Sequence, residues 1–479
     1  MHVLQSPRIL LRTARSRNKH IMTDFQKGDL THGSITGSMV RFAWPLMLGN
    51  LLQQCYNVAD TVIVGRVLGA DALAAVGSAY ALIVFITSIF IGLCMGCSTV
   101  FSMQYGARRL PELRQSVFLS LLIVGGAILL LSALSLICLN PIIRVLQTPP
   151  ELWQLTHDYL YIIFLGLLPV GVYNFYAFLL RAVGCSVAPL AFLAASVVLN
   201  IGLDLLFMLT FGMGVAGAAL ATVMAQTMAA VGLYIYAHYH FPQLRLQRSD
   251  CRVQAAALRK LGAYASLTCL QQSVMNFGIL LVQGLVNSFG TAVMAAFAAA
   301  VKIDSFAYMP VQDFGNAFST FIAQNFGAGR ADRIRRGIRS AAVLTTVFAC
   351  LVSAAVFVLA PWLMTLFVSA HEVQIIQIGV QYLRIEGCFY VGIGYLFMLY
   401  GFSRAVGRPG MSVILTVVSL GSRVVLAYSL AAIPSVGCLG IWWSVPIGWA
   451  LADVVGVLYF RRHHALAATP ETCRQQGRT

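Results

Sequence analysis

The chain repeats itself at an interval of just over 220 residues. Gln104-Tyr-Gly106-Ala107-Arg108-Arg109 is echoed by Gln324-Asn-Phe-Gly327-Ala328-Gly-Arg330, and 327 − 106 = 221. The same offset carries Gly69 to Gly290, each just before an Ala-rich run. Arg181-Ala182-Val183-Gly184 recurs letter for letter as Arg404-Ala405-Val406-Gly407, at offset 223, which also carries Tyr159-Leu160 to Tyr382-Leu383, Gly214 to Gly437 and Gly217 to Gly440. A duplicated membrane unit has a mechanical use, because two similar bundles can rock against each other around a shared midplane site.

The repeated unit is apolar. The chain is 59% hydrophobic and 10% charged, where a soluble protein carries about 25% charged residues. Apolar stretches near 40–65, 76–104, 115–139, 154–180, 188–210, 215–240, 260–288, 292–325, 338–361, 376–402, 411–433 and 438–460 each cross a hydrocarbon layer of about 30 Å as a helix. The expected fold is an all-α integral membrane protein. Twelve transmembrane helices form two six-helix parallel repeats, an N-lobe and a C-lobe, around a central cavity. Six spans return the chain to its starting side, so the repeats are related by an axis along the membrane normal. Barrel strands of about ten alternating residues are not seen. The expected organisation is a basic N-terminal segment 1–37, an N-lobe 38–241, a linker 242–258, a C-lobe 259–462 and a tail 463–479.

A net charge of +16 suggests an acidic partner such as nucleic acid, but topology explains it. Cations precede the first span (Arg8 to Arg41). They recur after the second (Arg108, Arg109, Arg114), at the repeat junction (Arg245 to Lys260) and after the eighth (Arg330 to Arg339). Arg181 and Arg404 are counted among these loops, and only Arg66, Arg144 and Arg384 fall toward the other side. This positive-inside pattern places both termini in the cytoplasm of a cell (inner or plasma) membrane protein, with the bilayer as partner and no nucleic acid. Residues 1–22 are Arg-rich and acid-free, which fits a transit peptide, a basic tail, or a leader ahead of a true start at Met22; the last is favoured.

Several string matches carry no chemistry. Cys94-x-x-Cys97 lies in an apolar span, without a nearby His or second pair, and reads as core packing. Gly212-Met-Gly214-Val-Ala-Gly217 mimics a dinucleotide fingerprint but lies in a turn between two spans, with no preceding strand. There is no Walker motif. The histidines sit mostly at loops and ends, such as His20, His240, His463 and His464, so no enzyme and no cofactor beyond a coupling ion is expected.

Ionisable residues inside spans are costly in hydrocarbon and mark function. In the first half these are Asp60 on span 1 and Asp204 on span 5. Asn200 is one helical turn before Asp204 and shares its face. Span 6 runs inward, so Thr222 near its start comes to the same depth. These oxygen donors suit a hard monovalent cation, and a carboxyl shielded from water can instead carry a proton. In the second half, adding 223 converts Asn200 to Arg423 and Asp204 to Ala427. Lys302 and Asp304 on span 8, Glu386 on span 10 and Arg423 on span 11 lie at similar depth and sum to zero charge, an expected ion network that fixes geometry or gates substrate.

Span 1 reads Pro45-Leu-Met-Leu-Gly49-Asn50-Leu-Leu-Gln53-Gln54-Cys-Tyr56-Asn57-Val-Ala-Asp60-Thr-Val-Ile-Val-Gly65-Arg66. With the doubled Arg-Ala-Val-Gly and the Gln-x(1–2)-Gly-Ala segments, it resembles the multidrug and toxic-compound extrusion (MATE) family over residues 30–462. The resemblance implies export of organic, often cationic and aromatic, compounds in exchange for Na⁺ or H⁺. It also implies that Asp60, Asn200, Asp204 and Thr222 form the N-lobe cation or proton site, with Na⁺ held at Asp60, Asn200 and Asp204. Some relatives carry further acids on spans 7 and 10. Here those positions are Gln272 and the vicinity of Gly392, which argues against a C-lobe cation site. Pro45 and Pro169 remove backbone hydrogen bonds and are expected bending points. Gln53, Tyr56, Asn57, Met95, Tyr173, Phe175 and Tyr176 are expected to line a cavity suited to flat cations. The protein is expected to act as a monomer. The alternative is a flippase for lipid-linked precursors or polysaccharides of the same broad architecture. Such proteins often have additional spans and a cationic cavity, so twelve spans and an acidic N-lobe weigh against it.

Overall fold

A computed structural model describes residues 28–145 and 148–462. The cations Arg8 to Lys27, the favoured start at Met22 and the tail 463–479 lie outside the described residues. Among the described residues every regular element is helical. The N-lobe holds α1 (Ile35–Leu68), α2 (Ala70–Gly106), α3 (Leu110–Ile137), α4 (Trp153–Leu165), α5 (Leu167–Ala182), α6 (Val187–Leu205) and α7 (Gly214–His240). The C-lobe holds α8 (Ala255–Asn287), α9 (Thr291–Gly327), α10 (Ala331–Thr365), α11 (Val373–Gly387), α12 (Tyr390–Ala405), α13 (Pro409–Ala431) and α14 (Cys438–Arg462). Among the described residues nine helices are long and apolar enough to cross a membrane, and the pairs α4/α5 and α11/α12 make two more spans, bent by 43° and 52°. The twelfth is α1. Its 34 residues are long enough and include the expected span 40–65, although Gln53, Gln54, Asn57 and Asp60 interrupt its apolar run.

The internal repeat is structural. The bends fall at Gly166 and at Phe389, and 389 − 166 = 223. Gly184 and Gly407 both take left-handed backbone, with φ of 86° and 87°, and each ends its lobe's fourth span. The first bend is set at Gly166, where a side chain would overlap Val223. Pro169 comes one turn later, where its missing N–H leaves no bond broken. Pro45 does lie inside α1. Gly212 and Gly214 form the left-handed turn between α6 and α7, as expected for a loop and not a nucleotide cradle. Cys94 and Cys97 are buried in α2 at 1% and 0% exposure.

The lobes meet at the end that carries the Arg-rich loops. Helices α2 and α8 touch backbone to backbone, Gly92 against Cys269 and Gly96 against Tyr264. Nearer the basic end, Gly106 of α2 and Gly327 of α9 pack on the Gln324 and Met103 carbonyls, with no room for a methyl group at either. Residues 28–34 run beneath this seam. The buried Gln324 side chain accepts from Leu30 N–H at 3.0 Å and donates to the Ala182 carbonyl at 2.8 Å. Arg333 donates to the carbonyls of Leu30, His32 and Gly33 at 2.8–3.2 Å. The segment therefore ties both lobes together. We expect Gln324→Ala to orphan a buried N–H and a buried carbonyl, costing about 1–3 kcal/mol. A lowered melting temperature, together with faster cysteine labelling at this seam, checks it. The linker is also docked, with Arg114 paired to Asp250 at 2.8 Å.

Candidate ion site and central cavity

Between the lobes lies a cavity of about 1180 Å³. Its wall includes Val62, Leu73, Tyr80 and Phe367 near the turns opposite the basic end, so it opens on that side and is sealed on the other. Gln53, Tyr56, Asn57, Met95 and Tyr173 line it as expected. Tyr176 and Phe175 do not. Their rings pack edge-on against each other at 5.4 Å, with Tyr176 also against Tyr234 at 5.3 Å and Phe175 against Phe101 at 6.4 Å. In the α5 turn Asn174-Phe-Tyr176, 100° per residue turns Phe175 and Tyr176 into the N-lobe while Tyr173 and Asn174 face the cavity.

The four N-lobe polar residues converge. Asp204 is 0% and Asn200 2% exposed. With its amide turned toward the acid, Asn200 donates to Asp204 Oδ2 at 2.9 Å and accepts from Thr222 N–H at 3.0 Å. Thr222 Oγ1 and the Tyr56 hydroxyl are 3.2 Å apart. Asp60 reaches across from α1 so that its carboxyl is in hydrogen-bonding contact with that of Asp204. Such a contact requires a shared proton, or a cation in its place, since two carboxylates repel. Oδ1 of each acid is buried without a partner. Two orphaned carboxylate oxygens with amide and hydroxyl oxygens nearby fit the donor set of a hard cation. Asp60, Tyr56 and Thr222 also face the cavity, whereas Asn200 and Asp204 lie behind them. Just beyond Asp204, α6 widens into a π-turn, Leu206–Thr210, a distortion often found at functional sites.

In the C-lobe the structure brings together three of the four expected residues. Asp304 accepts from the Tyr390 hydroxyl at 2.7 Å. Glu386 bonds Tyr382, and Arg423 lies within electrostatic reach of both acids. Lys302 is not part of this group. Two residues from Asp304 on α9 is about 200° around the helix, so Lys302 faces the central cavity instead. Arg423 Nε and Glu386 Oε2 are buried without partners, so their interaction is through the field more than through a bond. We expect Glu386→Gln and Arg423→Gln to be non-additive in a thermal double-mutant cycle by about 0.5–3 kcal/mol. Additive losses would discard the network.

The structure brings forward three more polar residues, two of them acids that sequence reading passed over. Asp313 on α9 accepts from Asn50 of α1 at 2.5 Å, a bond between lobes, with Arg181 nearby. Asp453 on α14 stands beside Gly392 with one oxygen unpartnered, so an acid reaches that region from a different span. Both could have been found as in-span acids. The third, Arg404, was expected in a basic loop. It lies instead at the end of α12, 3% exposed, and lines the cavity with Arg181.

Two segments of the chain, 45–206 and 268–429, match one family, MatE. They start 268 − 45 = 223 residues apart, the offset of the repeat. The chain belongs to the MatE family. The "Probable multidrug resistance protein YpnP" of Bacillus subtilis (strain 168) is 30% identical over 436 residues, covering 90% of this chain and 96% of the relative. The "FAD transporter" of Shewanella oneidensis is 26% identical over 423 residues, covering 85% and 90%. Among solved structures, the "Outward-facing conformation of a multidrug resistance MATE family transporter of the MOP superfamily" superposes with a TM-score of 0.86. It is 23% identical and covers 92% of this chain and 99% of that one. The protein is thus a multi-pass membrane transporter with the MATE fold.

Proposed function

We propose that this MatE transporter is an antiporter that exports small organic compounds in exchange for Na⁺ or H⁺. The basic end faces the cytoplasm, both termini lie there, and the protein sits in the cell membrane as a monomer. The observation that carries the proposal is the Asp60–Asp204 carboxyl pair, in which each acid keeps a partnerless oxygen and Asp60 borders the cavity. The names of its relatives, among them multidrug resistance and export proteins and a FAD transporter, support small-molecule cargo.

The geometry supports a route for coupling. Asp60 belongs to α1, which also contributes Asn50 to the bond with Asp313 of the other lobe. An ion or proton that neutralises Asp60 and Asp204 draws α1 toward α6 and α7 and alters the wall of the cavity. It shifts the equilibrium only as far as it binds one state better than the other. A cation entering from outside would favour release of cargo, and its loss to the cytoplasm would favour reloading. Proteoliposomes with a Na⁺ gradient and a pH gradient imposed separately test the proposal. One of the two must drive accumulation, and accumulation that follows neither gradient would overturn antiport.

A further inference from the structure

The closed end of the cavity holds a buried cation that no acid neutralises. Arg404 is 3% exposed and lines the cavity. Its guanidinium donates to Gln271 Oε1 at 3.1 Å and to Asn316 Oδ1 at 3.3 Å, both neutral amides. Its Nε has no partner, and among the described residues no carboxylate lies within ion-pair distance of it. Its repeat mate Arg181 lines the same cavity and also has a partnerless Nε, but it has Asp313 as a neighbouring acid. Asp313 and Asn316 are three apart on α9 and share a face, so the two arginines stand about one helical turn apart along it. Lys302 adds a third cation to the wall.

A charge removed from water is stable only if something compensates it. Around Arg404 the protein supplies dipoles but no counter-charge, while the planar guanidinium borders the cavity and its buried Nε–H has no partner. That arrangement suits a carboxylate, sulfonate or phosphate, which a guanidinium grips with two parallel bonds. The geometry points to an anion subsite at Arg404, with Arg181 in support, so that the cargo is an organic compound bearing at least one anionic group beside its apolar body. This rests on the export reading above and narrows its substrate class. The doubled Arg-Ala-Val-Gly acquires a function: each copy delivers one arginine to the lobe interface.

The test is equilibrium binding, with no gradient, to protein in phosphatidylcholine nanodiscs. The probes are riboflavin 5′-phosphate and riboflavin, flat aromatics that differ by one phosphate and report binding through their own fluorescence. The parent protein is expected to bind the phosphate about tenfold or more tightly than the neutral form, the scale of a charge-assisted bond. R404Q should lose that preference while keeping its affinity for riboflavin, and R404K should retain part of it. Equal binding of the two probes by the parent, no binding of the phosphate, or an unchanged preference in R404Q overturns the subsite. Retained riboflavin affinity in R404Q shows that the variant is folded. Replacing phosphatidylcholine by phosphatidylglycerol should leave the affinity unchanged; competition by that lipid would mean that the arginine holds a headgroup, overturning a soluble cargo. Because no ion gradient enters, failure here leaves antiport intact. Failure of coupling in proteoliposomes equally leaves the subsite intact.

Discussion

Gly106→Val abolishes transport while the helices still form. Gly106 ends α2 against the Gln324 carbonyl of α9, and its repeat mate Gly327 packs on the Met103 carbonyl of α2. A side chain at either position overlaps backbone of the opposite lobe, which cannot swing aside as a flexible side chain would. Overpacking of this kind typically costs about 1–3 kcal/mol, or about 5- to 150-fold in a two-state population. The cost falls only on the state in which this end is sealed. The variant should therefore be held open at the basic end, with cysteines placed along the seam labelled rapidly and cargo transport at background. Normal transport at normal expression would mean that the lobes do not close here during the cycle. Gly327→Val should behave alike, as the repeat requires.

Asp60→Asn uncouples transport from the ion gradient. The substitution keeps shape and removes one of the two carboxyls of the proposed ion site. Asp204 then faces an amide, the hydrogen bond between the side chains can persist, and the fold survives. What is lost is the second charge, and with it differential binding of the ion. Gradient-driven accumulation should fall by about 100-fold, as expected when a coupling of about 3 kcal/mol disappears. Passive exchange of cargo across the same proteoliposomes should continue. The pair of readouts separates a coupling residue from a structural one, since a misfolded variant would lose both. Asp204→Asn should share the phenotype. Ala427→Asp should not create a second ion site, because Arg423 occupies the place of Asn200 in the C-lobe.

Much of the site was legible from the chain. Asp60, Asn200, Asp204 and Thr222 converge because polar residues in hydrocarbon have few places to go, and their depths along the spans coincide. The bends at Gly166 and Phe389 keep the repeat interval, as do the left-handed turns at Gly184 and Gly407. Twelve spans follow from length and apolarity.

Direction around each helix was decided only by the tertiary structure. Sequence placed Lys302 and Asp304 in one network, yet one faces the cavity and the other the interior of the C-lobe. It placed Arg404 in a loop, yet α12 carries it into the cavity. It did not single out Asp313, which bonds across the lobes. In a soluble protein, an apolar stripe against a polar one tells which face of a helix is buried. Here lipid and protein interior are both apolar, so α2, α3 and α7 are hydrophobic all round and their sequences carry no such stripe. Sequence therefore determined the number of spans, their order, their repeat and the depth of each polar group. Helix packing, driven by close van der Waals fit at residues such as Gly92, Gly96 and Gly106, decided which of those groups meet.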